Sequence, residues 1–109
     1  MAYDEGLAQR IREALATAPG VTEKKMFGGL AFLLDGNMIC GVVGEDLMVR
    51  VGPDAYAASL EMRHAREMDF TGRPMKGLVY VSPAGFESDA DLEAWVGRGL
   101  GFARSLAPR

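Results

Sequence analysis

The chain has 109 residues, 49% hydrophobic and 25% charged, with a formal net charge of −3. That length suits one domain with one real core. The acidic balance argues against broad, sequence-independent nucleic-acid binding, which leaves a basic footprint. The opening MAYDEGLAQR carries acids and no long apolar run, so it does not read as a signal peptide. The longest apolar run, Leu30 to Leu34, is far below the ~20 residues that span a bilayer. Cys40 is the sole cysteine, so no internal disulfide forms and a reducing cytoplasm is the expected compartment.

Asp4 can cap a first helix running to about Ala18. Leu7, Ile11, Ala14, Leu15 and Ala18 fall on one helical stripe, and Pro19-Gly20 ends it. The period then changes. Leu30–Leu34, Met38–Val43 and Leu47–Val51 are short apolar runs separated by Asp35-Gly36-Asn37 and Gly44-Glu45-Asp46. Those connectors predict a three-stranded antiparallel meander. Leu47, Val49 and Val51 alternate with Met48 and Arg50, which predicts a wetter second face.

Pro53 opens a short second helix to about Leu60. Met68-Asp69-Phe70 reads as a short strand, Thr71 to Pro74 as a turn, and Lys76 to Val81 as the last strand. Ser88 with Asp91 resembles a capping box for a final helix from about Asp89 to Leu106. Gly97, Gly99 and Gly101 lie inside that helix, where each costs roughly 1 kcal/mol relative to alanine; either they allow close packing or the helix frays. The expected order is α-β-β-β-α-β-β-α, helices on an antiparallel sheet: an α+β domain.

The stretch KKMFGG, Lys24 to Gly29, poses the sharpest chemical question. A phosphate loop places glycines before Gly-Lys-Ser/Thr at the start of a helix. Here the lysines come first and a strand follows, so the glycines read as a bulge, a bend or a close backbone approach. Cys40 reads as a core residue. The sole histidine, His64, stands twenty-four positions on in a polar segment. One Cys and one His do not make a zinc site, and the spacing suggests no Ser-His-Asp or paired-carboxylate arrangement; no metal, cofactor or catalytic residue is expected. Glu61, Glu67 and Asp69 read as solvated surface. Met26, Met38, Met48, Met68 and Met75 read as core filler, or as the lining of an adaptable binding groove. Lys24, Lys25, Arg63, Arg66, Arg73 and Lys76 form a candidate contact surface, weighed against ordinary surface charge.

Several of these motifs resemble the N-terminal domain of the TfoX/Sxy family. Lys25-Met26-Phe27-Gly28-Gly29 leading into Leu30-Ala31-Phe32, the Asp35-Gly36 turn and Met38 carry the likeness. So do Gly72-Arg73-Pro74-Met75-Lys76-Gly77 and the closing helix with Trp95. The resemblance covers roughly residues 10 to 105. It implies an α-β3-α-β2-α layout similar to type III secretion chaperones. It also implies a place among regulators of natural competence that act with the cyclic-AMP receptor protein, with no established catalytic residues in this domain. Full-length regulators carry a further helical domain, so this chain is expected to be a stand-alone copy with no direct DNA contact. The resulting expectation is a non-catalytic interaction or regulatory module with a protein partner or a second copy of itself. The alternatives are a small-molecule or nucleotide binder, or an unrecognised enzyme, built on Lys24, Lys25, Arg73 and Lys76, and, third, a nucleic-acid contact through those same residues.

Overall fold

The computed structural model describes residues 3–26, 28–68 and 76–108. The expected positions Phe27, Arg73, Pro74 and Met75, and the strand residues Asp69 and Phe70, lie outside them.

Helix α1 (Glu5–Ala14) begins where Asp4 Oδ1 accepts the Leu7 N–H at 3.1 Å, and it buries Leu7, Ala8 and Ile11. It is shorter than the apolar stripe predicts. Beyond Leu15 the chain makes tight three-residue bonds, Ala16 N to Glu13 O and Ala18 N to Leu15 O, before Gly20 turns at φ 84°. Those bonds satisfy the last carbonyls without another helical turn.

Four strands follow, one more than the meander expected from sequence. They are β1 (Val21–Met26), β2 (Gly29–Leu34), β3 (Asn37–Val43) and β4 (Asp46–Arg50). β1 has no apolar alternation because it is the edge of the sheet and most of its side chains are wet. The β2–β3 connection is a two-residue turn, Asp35 at φ 49° and Gly36 at φ 88°, between the paired Leu34 and Asn37. Positive φ at both central residues is the type I′ hairpin geometry that Asp-Gly favours.

Helix α2 (Tyr56–Leu60) starts later than Pro53, and no side chain caps it. Strand β5 (Ala65–Glu67) begins directly after His64, which holds φ 70°. Of the strand expected at Met68-Asp69-Phe70, only Met68 is among the described residues, and it follows β5 without joining it. Strand β6 (Leu78–Val81) starts after Gly77, whose carbonyl accepts from Val51 N and Gly52 N at 2.8 and 3.2 Å. A single 3₁₀ turn, Pro83–Gly85, leads to helix α3 (Asp89–Arg104). Its cap is as read from sequence: Ser88 Oγ accepts from Asp91 N at 3.1 Å.

Among the described residues all strand pairs are antiparallel and run β1-β2-β3-β4-β6-β5 across one sheet. The α+β class read from sequence therefore holds, with one added strand. Helices α1 and α3 cover one face. There Ile11, Phe32, Ile39, Leu47, Val79 and Trp95 share the main core. Between Phe32 and Leu33 the register shifts by a bulge, so Ile39 and Cys40 both join that core.

The second face is not wet at its centre. Met48 is fully buried among Ala31, Met68 and Leu78, with Met26, Leu33, Met38, Val43 and Tyr80 half-buried around them. The alternation at Met48 and Arg50 thus marks a second, methionine-rich core rather than a solvated face.

Candidate functional site

The KKMFGG stretch becomes the end of β1 and its turn into β2. Met26 pairs with Gly29, so only positions 27 and 28 connect the strands. The two glycines do different jobs. Gly28 sits at φ 73°, a left-handed conformation that side chains resist. Gly29 is buried, and a Cβ there would collide with the Val42 carbonyl oxygen of β3. A turn angle accounts for Gly28 and close backbone approach for Gly29.

The outer edge of β1 is exposed backbone. Gly20 O accepts from Asp35 N at 3.3 Å, which marks Gly20 and Asp35 as a hydrogen-bonded pair. Bonded and non-bonded pairs alternate in an antiparallel ladder. The backbone groups of Thr22, Lys24 and Met26 therefore face β2, and those of Val21, Glu23 and Lys25 face outward. Among the described residues, no other element bonds to those outward groups.

Side chains alternate the other way. Glu23 and Lys25 flank the helix-covered face, and Thr22, Lys24 and Met26 flank the methionine face. Glu23 is held by a bidentate contact from Arg12 of α1, Nε to Oε2 at 2.7 Å and Nη2 to Oε1 at 3.0 Å. The Arg12 hydrogen bond holds the Glu23 carboxyl below its ordinary range.

The proposed basic surface is not one patch. Lys24 and Lys25 stand on β1, while Arg66 stands on β5 and Arg63 just before it, at the opposite sheet edge. Five strand spacings separate β1 from β5, on the order of 24 Å. Lys76 precedes β6, four spacings from β1, or roughly 19 Å. Arg66 is engaged: it bonds Asp46 Oδ2 at 2.5 Å and Ser82 Oγ at 2.8 Å, and lies 5.0 Å from the Tyr80 ring centroid. It ties β5 to β6 and β4 rather than waiting for a ligand.

Cys40 is buried on β3, and burial pushes its thiol up to about 12. His64 is exposed, three strand spacings away in the order β3-β4-β6-β5, about 14 Å. The two do not form a nucleophile–base pair. Among the described residues, no group of three or more His, Cys, Asp or Glu is placed to hold a metal.

Sequence reading missed two features. One is β1 itself, whose charged letters hide an edge strand. The other is an open cleft of about 510 Å³ lined by Glu61, Met62, Arg63, His64, Asp91 and Trp95. His64 carries the cleft's one local signal, a left-handed backbone that no sequence period encodes.

The geometry can be set beside known proteins. The family model for the TfoX N-terminal domain matches residues 13–103. The chain belongs to the TfoX N-terminal domain family. Within this TfoX N-terminal domain, the matched span runs from late α1 almost to the end of α3 and so includes the whole sheet. Comparison with curated proteins and with solved structures finds no match.

Proposed function

We propose that this TfoX N-terminal domain is a non-catalytic interaction module, regulatory in role and cytoplasmic, which takes partners by strand addition at β1. The observation that carries this reading is the edge itself: six residues paired on one side, with the backbone groups of Val21, Glu23 and Lys25 turned outward. An extended segment laid there gains main-chain hydrogen bonds at once, and its alternate side chains set specificity. The family membership supports a regulatory setting, and the buried lone Cys40 suits a reducing compartment. Among the described residues, no helix is long and apolar enough to cross a membrane.

Lys25→Pro tests the reading. Its N–H faces away from β2, so proline removes an outward donor and spares the internal ladder. The variant is expected to keep its circular dichroism and to lose the partners that the wild-type chain retains in affinity capture. Equal retention by a folded Lys25→Pro variant overturns strand addition at β1.

A further inference from the structure

We infer that the occupant of the β1 edge is the β1 strand of a second copy, antiparallel, with Glu23 of each chain opposite Lys25 of the other. The inference rests on the strand-addition reading and specifies its partner. It follows from which groups point outward and from the order of charges in Val21-Thr22-Glu23-Lys24-Lys25-Met26.

Two antiparallel copies related by a two-fold axis can bond only through their outward groups, those of Val21, Glu23 and Lys25. The permitted registers are therefore few. One places Glu23 opposite Glu23. Another places Lys25 opposite Lys25. A third, shorter overlap sets Glu23 against Val21 and leaves both Lys25 side chains unpaired. Only the register centred on Lys24 places Glu23 opposite Lys25 twice. In it, each Glu23–Lys25 pair exchanges both backbone bonds, and their side chains meet on the helix-covered face.

On the methionine face the same register sets Met26 opposite Thr22. The two Lys24 side chains meet at the axis, where their long stems can lie along apolar surface and carry the ammonium groups to water. Lysines on an edge normally discourage indiscriminate pairing. Here Glu23 between Thr22 and Lys24 turns that discouragement into a choice of one register. Glu23 also accepts from Arg12, so the lysine of the second copy joins an existing ion pair instead of displacing it. A six-residue strand covers far less than the roughly 1,600 Å² of a standard interface, so the dimer is expected to be weak, in the micromolar range or above.

Sedimentation across concentration tests this with the full chain. The wild type is expected to show a reversible monomer–dimer equilibrium. Glu23→Lys alone and Lys25→Glu alone each convert both cross-strand attractions into repulsions and should weaken self-association roughly tenfold or more. An equimolar mixture of the two variants reunites opposite charges in both pairs and should recover wild-type affinity as a heterodimer. Circular dichroism and melting of each variant separate loss of pairing from loss of fold, and the mixture restores association only if both chains fold. A dimer indifferent to the swaps overturns the register. A strict monomer that still retains a partner lost by Lys25→Pro overturns self-pairing and leaves the strand-addition reading standing.

Discussion

Cys40 shows how one residue's surroundings set its chemistry. It lies on β3 with no exposed surface, in the core beneath α3. Desolvation disfavours the thiolate, and the thiol is pushed up to about 12. The unfolded thiol titrates near 8.5. Because the folded value is the higher one, the thiol's stabilising contribution is complete below about pH 8.5 and is lost as pH rises toward 12. Over that window each pH unit should remove on the order of 1 kcal/mol. Tyr56 and Tyr80 are also raised, mainly by desolvation, and add a decline of the same sign. Urea unfolding between pH 8 and 11 is expected to show a shallower slope in Cys40→Ala than in wild type; identical slopes would mean the thiol is solvated. The core assignment of Cys40 was readable from its apolar neighbours. The distinct roles of Gly28 and Gly29 were not. One answers to a backbone angle and the other to β3, which only pairing brings alongside.

At the scale of an element, α3 resolves the puzzle of its three glycines. A Cβ on Gly99 would collide with the Ile39 carbonyl oxygen, so the helix backbone lies directly against β3 there. At Gly97 and Gly101 a Cβ meets nothing within 4 Å. Sequence offered close packing or fraying as alternatives for all three, and the helix divides them. Gly97→Ala and Gly101→Ala should each stabilise by about 0.5–1 kcal/mol through helix propensity alone. Gly99→Ala must push the helix off the sheet and should destabilise by about 1–3 kcal/mol. Thermal melting of the three single variants checks the split, and three shifts of one sign would refute it. α3 was legible because its stripe of Leu92, Trp95, Val96 and Ala103 follows the helical period and all four are buried. β1 was not, because an edge strand wet on both faces has no apolar period to read. Its one sequence clue was position: Val21 to Met26 stands directly before a paired strand, at hairpin distance.

Across the whole molecule, the sheet order decides what no local pattern holds. β4 neighbours β6 rather than β5, and this brings Met48 beside Leu78 and Met68. Met26, Met38, Met48 and Met68 come from four places in the chain and meet on one face. Period alone marked alternate positions of β4 as wet because the chain carries methionine and arginine there. It cannot know which strands lie alongside, and methionine's flexible thioether suits an irregular second core as well as a groove. The same order explains why the basic residues scatter: Lys24 and Lys25 on one edge, Arg63 and Arg66 on the other. A sheet buried on both faces at its centre makes a quantitative demand. Met48→Ala should cost about 2–4 kcal/mol in urea unfolding, the loss expected when a large apolar side chain leaves a packed site. Met62, the large hydrophobic most open to solvent among the described residues, is the internal control. Met62→Ala should stay within about 0.5 kcal/mol. If both variants lose equally little, the methionine face is solvated and the sheet has one core. A large loss at Met48 alone means that the second face is packed around Met48.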